Sequence, residues 1–136
     1  MPYQTFVDPT QRTGFVWLYG EVTSEDLIHT NVQLYNDPAW QPGFQELWHG
    51  LDIDTLDLDW DTLRDVVEME EEARSVIGFG RCALVGWRDI DLAMAKAFQA
   101  MMASSGREVR LFRDLSEACA WLRLDHLPER PPPPTT

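Results

Sequence analysis

The chain has 136 residues, 44% of them hydrophobic, and a formal net charge of −12. Such a length fits one domain with a sizeable core. The acidic balance excludes a nonspecific nucleic-acid binder, whose surface must neutralise phosphates. No apolar run approaches the roughly 18 residues of a membrane span. The opening MPYQTFVDPTQRTG lacks the basic start and apolar centre of a signal peptide. A cytoplasmic protein is therefore expected, with peripheral membrane contact as the most its charge allows.

Tyr3–Val7 reads as a short edge strand limited by Pro2 and Pro9. Phe15–Tyr19 (FVWLY) is a continuous apolar run, as in a strand buried on both faces, and Gly20 ends it. Thr23-Ser24-Glu25-Asp26 is a capping start, and Ile28, Val32 and Tyr35 recur at helical spacing until Asn36-Asp37-Pro38. Trp40 sits in the loop Ala39–Gly43. Phe44–Leu51 is the next strand, followed by an acidic loop, Asp52–Asp61. Leu63, Val66, Met69, Ala73 and Val76 mark a helix ending near Gly78.

The strand Cys82–Trp87 leads to the helix Ile90–Ala103, with a buried stripe of Ile90, Met94, Ala97, Phe98 and Met101 and a cap at Gly106. Val109–Phe112 is the last strand. Asp114 with Glu117 has capping-box spacing before a helix that buries Leu115, Ala118, Cys119 and Leu122. Short strands alternating with helices predict an α/β domain with a mostly parallel sheet over residues 1–125. Residues 126–136, ending RPPPPTT, read as a flexible proline-rich tail. Cys82 and Cys119 lack metal-ligand spacing and read as reduced thiols. Trp17, Trp87 and Trp121 fall in core elements.

Four segments carry a family resemblance: GEVTSEDL from Gly20, ELWHG from Glu46 into the acidic loop, CALVGW from Cys82, and VRLFRDLSEACAWL from Val109. In their order and spacing, from Thr13 to Leu124, they resemble the SpoIIAA-like family. These are small bacterial STAS-type domains related in fold to anti-sigma-factor antagonists and to lipid-binding CRAL-TRIO domains. The resemblance implies a right-handed βα superhelix of about five mostly parallel strands and about four helices, with an antiparallel N-terminal strand. It implies a non-catalytic domain, without a cofactor, that binds a protein partner or an apolar ligand. Antagonists in the wider superfamily are switched by phosphorylation of a serine after the third strand, at a helix start. The matching HGLDIDTLDLDWDTL holds no serine. Its hydroxyls, Thr55 and Thr62, sit among carboxylates that would repel a phosphate, so a phosphoswitch is not expected.

Asp57, Asp59, Asp61, Asp65 and Glu68 occupy the first, third, fifth, ninth and twelfth positions of a calcium-loop pattern. The pattern needs glycine where Thr62 stands. Acids before a helix read more simply as caps and a solvated face, so no metal is expected. His49 ends a strand on the side where open α/β sheets place ligands. With Asp52 it has the makings of a base and its orienting acid, against the simpler reading of a structural histidine. Trp40, Trp48 and Trp60 flank loops around the third strand, either as a ligand mouth or folded back over the sheet edge. Trp40, Trp48, His49, Asp52 and Trp60 are thus the candidate ligand or partner surface. Between Asp52 and Glu72 stand ten acids and one base, Arg64. The expected function is an interaction domain steered by this sector toward a basic protein partner. The alternative is a carrier or sensor of a lipid or other apolar ligand, which needs a cavity of roughly 300 Å3. A homodimer through an edge strand or helix face is compatible with the pattern.

Overall fold

The computed structural model describes residues 2–86, 89–104 and 106–132, without the side chains of 89–91 and 104. Trp87 and residues 133–136 of the tail lie outside the described residues, as does the side chain of Ile90. Strand β1 (Tyr3–Asp8) runs antiparallel to β2 (Thr13–Thr23), with Phe6 opposite Phe15. Strands β3 (Gln45–Asp57), β4 (Cys82–Val85) and β5 (Val109–Phe112) then add in parallel, so the sheet order is the chain order. The connecting helices are α1 (Ser24–Tyr35), α2 (Trp60–Glu72), α3 (Arg74–Ile77) and α4 (Asp89–Ser104). Helix α5 (Leu115–Leu122) follows the last strand. The expected α/β sheet with an antiparallel first strand is present, with one helix more than expected. That addition is α3, where the predicted Leu63–Val76 helix breaks at Ala73.

Crossovers between parallel neighbours share one hand, so sequential strand order puts their helices on one face. The larger core lies there: Leu27 and Leu34 of α1, Val67 of α2 and Met102 of α4 pack on Val16, Leu18, Trp48 and Leu84. Helix α5 follows no such rule and covers the opposite face, setting Ala118 and Leu122 against Phe15, Trp17, Leu47, Ala83 and Val85. Strands β2 to β4 are therefore buried on both faces, which explains the unbroken apolar runs FVWLY and CALV.

Two expectations for the strands need correction. Gly20 does not end β2. It takes φ +68°, the register with β3 slips there, and pairing continues to Thr23↔Asp57. A glycine bulge bends a strand without ending it. The supposed loop Asp52–Asp61 is consequently strand as far as Asp57. Beyond Gly50, β3 pairs only with β2, and the two form a ribbon projecting past the sheet.

The helix stripes are also rotated. Helix α1 buries Leu27, Thr30, Asn31 and Leu34, leaving Val32 exposed. Thr30 Oγ1 donates to the Asp26 carbonyl at 2.6 Å and Asn31 Nδ2 to the Leu27 carbonyl at 2.9 Å, so both polar side chains are partly satisfied within their own helix and can face the sheet. Helix α2 buries Glu70, not Met69, and Val76 is exposed while Ile77 of α3 anchors the turn. Helix α4 buries Ala95 and Met102, leaving Met101 more exposed. In α5, Asp114 caps through the Ser116 N–H and hydroxyl at 2.9 and 2.8 Å.

Beyond Leu124, three residues touch the β1–β2 turn and β2. Gln11 Oε1 accepts from the Asp125 N–H at 2.9 Å, Gln11 Nε2 donates to the His126 carbonyl at 3.1 Å, and the Arg130 guanidinium lies 4.3 Å over the Tyr19 ring. Residues 125–130 thus run from the β1–β2 turn to Tyr19, in the middle of β2.

Candidate functional site

Alternation along β3 sends Glu46 and Trp48 to the helix-covered face. Glu46 is fully buried there. Trp48 Nε1 donates to Glu46 Oε1 at 2.7 Å, and Tyr35 Oη, from the last residue of α1, donates to Oε2 at 2.8 Å. Arg107, buried in the turn between α4 and β5, gives Nη2 to Glu46 Oε2 and Nη1 to both oxygens of Glu70 at 3.1 Å. Its Nε donates to the Gly80 carbonyl at 3.2 Å. Two carboxyls and one guanidinium are thus enclosed together with a phenol and an indole.

The electrostatics follow from burial. Burial pushes the Glu70 carboxyl up; Arg107 opposes this and Glu46 adds to it, leaving it at about 7. A proton held on Glu70 reduces the cluster to one carboxylate and one guanidinium. Burial lifts the Tyr35 phenol and the Cys82 thiol well above their usual ranges, with Glu46 adding to both. For Arg107, burial acts to lower the value, but Glu46 reverses this and the guanidinium stays charged.

Beside this cluster, between the sheet and α1, α2 and α4, lies a cleft of about 60 Å3. Its walls are mostly apolar, including Trp48, Leu63, Leu84 and Phe98, with Asn31 and Glu70 as the polar members. Asn31 is 3% exposed, and its Oδ1 has no hydrogen-bond partner. The cleft falls well short of the roughly 300 Å3 that encloses a drug-sized molecule.

The five candidate surface residues separate. Trp40 is buried at the start of β3: its Nε1 donates to the Val76 carbonyl at 2.9 Å, and its ring meets Tyr35 and Phe44 edge-on at 5.1 and 5.6 Å. Trp48 is a core residue that lines the cleft. Trp60 opens α2, past the other end of β3, and is 51% exposed. Thirteen strand residues lie between the first and last of these, a span of about 40 Å, so they share no mouth. Asp52 is exposed opposite Tyr19, and His49 Nδ1 is buried without a partner, so no acid orients the ring through that atom.

The calcium pattern is dispersed. Asp57 ends β3, Asp59 caps α2 by accepting from the Thr62 N–H at 2.7 Å, and Asp61 pairs with Arg64. Among the described residues no group of three His, Cys, Asp or Glu is placed to hold a metal ion. Thr55 lies within a strand, and Thr62 is buried in the first turn of α2. Nine of the ten acids from Asp52 to Glu72 are exposed, and the tenth is Glu70.

Sequence reasoning missed Glu46, Glu70 and Arg107. Arg107 shows no periodic signal. Glu46 opens a strand otherwise read as apolar, and a charge in such a strand was the available clue.

The crystal structure of an uncharacterized protein of the DUF3478 family with a SpoIIAA-like fold, from Shewanella loihica PV-4, is similar to this chain with a TM-score of 0.58. The fold is SpoIIAA-like. The match covers 88% of this chain and 93% of that one at 16% sequence identity. No family model matches the sequence, and no curated protein matches it. The SpoIIAA-like sheet places the Glu46–Arg107–Glu70 cluster under its crossover helices and the acidic sector on the β2–β3 ribbon and α2. No described helix is long and apolar enough to cross a membrane.

Proposed function

We propose that the chain is a non-enzymatic SpoIIAA-like interaction domain that docks a basic protein partner on the ribbon of β2 and β3 and on α2. One observation carries this reading: exposed acids are concentrated there with Arg64 as the sole base between Asp52 and Glu72, and Trp60 stands half-exposed between Asp59 and Asp61. Such a field steers a cationic surface, and an exposed tryptophan within it supplies the apolar anchor that charge alone lacks. Asp52, Asp65 and Glu68 face solvent, while Asp59 caps α2 and Asp61 pairs with Arg64. The buried carboxyls are engaged with Arg107 and Tyr35, which argues for a structural and not a catalytic role.

The test uses a photocrosslinking residue. Trp60→benzoylphenylalanine in cells is expected to give a discrete adduct with a protein carrying a basic surface, reduced by Asp61→Lys with Asp65→Lys and by high salt. Val32→benzoylphenylalanine, on the exposed side of α1, serves as the control. The same adducts from both positions, or adducts indifferent to charge reversal, would overturn the reading.

A further inference from the structure

The cleft beside Trp48 stands apart from the acidic surface and does not depend on partner docking. Asn31 is the informative residue. Only the NH2 of its carboxamide can donate to the Leu27 carbonyl, so that bond fixes the amide orientation and leaves Oδ1 as the unpartnered acceptor. A buried acceptor without a donor is costly in an apolar setting. The other polar lining residue, Glu70, is engaged with Arg107 through both oxygens and with Tyr35 through one, and no hydrogen bond runs from it to Asn31. A water needs two to four polar partners and would find one here. An ammonium would have to shed its hydration against Leu27, Leu63, Val66 and Leu84.

We propose that this cleft binds a small uncharged aliphatic alcohol, which donates its hydroxyl to Asn31 Oδ1 and buries its carbon chain against Trp48, Leu84 and Phe98. The size agrees. A cavity of ~150 Å3 takes benzene, so about 60 Å3 encloses roughly two to three heavy atoms, the head of a short primary alcohol. Leu58, Met94 and Phe98 are only partly buried, so the cleft reaches the surface and a longer chain leaves between α2 and α4. The charged groups of the neighbouring cluster are paired with one another, Arg107 with both Glu46 and Glu70.

The probes are 1-butanol and its isomer diethyl ether, which has the same atoms and no donor, with butylamine as the cation. Each is titrated into the 15N-labelled full chain and followed by amide shifts. The expected result is saturable shifts in α1, β3 and α4 with 1-butanol, and binding about 10-fold weaker with the ether, the worth of one buried hydrogen bond. Asn31→Leu removes the acceptor at similar volume and should equalise the isomers. Ala95→Leu fills the cleft and should abolish both. Equal affinities in the wild type, tighter binding of butylamine, or no saturable shift with any probe overturns the proposal. The isomer comparison needs no variant, so it decides the matter even where Asn31→Leu fails to fold.

Discussion

Replacing Glu70 with glutamine removes the titrating group of the buried cluster while keeping its shape. Folding lifts this carboxyl from 4.5 to about 7, chiefly through burial. Between those values the folded protein holds a proton that the unfolded chain has released, so stability falls as pH rises through the window and levels off above it. From pH 5 to pH 8 the loss from this group alone is roughly 2–3 kcal/mol. For a chain of this size that is a fall in Tm of roughly 10 °C. Glu70→Gln mimics the protonated acid at every pH. Its amide still accepts from Arg107, and it places no second negative charge beside Glu46. Chemical denaturation of both proteins at pH 5, 6, 7 and 8 is the assay. The pH range stays above the region where Asp8, Asp59 and Asp114, whose carboxyls are held low by hydrogen bonds, titrate. The variant is expected to be nearly flat, within about 1 kcal/mol of wild type at pH 5 and equal or more stable at pH 8. A variant that keeps the wild-type slope would show that the buried proton is not on Glu70.

Other perturbations test the rest of the framework. Arg107→Met leaves Glu46 and Glu70 buried without their cation, and should cost about 3–5 kcal/mol in urea unfolding at pH 8, with a smaller loss at pH 5, where Glu70 is protonated. Gly78→Ala would put a methyl group 2.2 Å from the Gly43 nitrogen at φ +78°, so thermal unfolding should show a drop beyond the 1–3 kcal/mol of backbone strain alone. Asp59→Ala removes the acceptor for the Thr62 N–H, and hydrogen exchange should report faster opening of the first turn of α2 with little change in α5.

The sheet and its order were legible because strands buried on both faces leave uninterrupted apolar runs, and each crossover leaves a helical period between them. Helix phase was less legible. In α1, Thr30 and Asn31 bond their own helix backbone and so face the sheet where a polar residue is expected outside, shifting the stripe from Ile28, Val32 and Tyr35 to Leu27, Asn31 and Leu34. The continuation of β2 and β3 past Gly20 and Gly50 was hidden because its exposed residues are mostly polar, among them Glu21, Asp52, Asp54 and Asp57, which suit a loop equally well. The cluster was hidden for a different reason. Glu46, Glu70 and Arg107 lie far apart in the chain, and only the sheet register and the α2 packing bring them together. Trp40 and Trp48 carry indole N–H groups that found internal acceptors, Val76 and Glu46, so they joined the core and left Trp60 as the exposed member of the trio.

The placement of α5 has a consequence for synthesis. Sheet order follows chain order, so β1 to β4 can pair as each strand leaves the ribosome. Phe15, Trp17, Leu47 and Ala83, however, wait for the segment from Leu115 onward to cover them. During that interval the nascent sheet shows water a smooth apolar side, the kind of surface on which unfinished chains stick to one another or to a chaperone. A chain stalled before Leu115 would carry a nearly complete sheet with that side still uncovered.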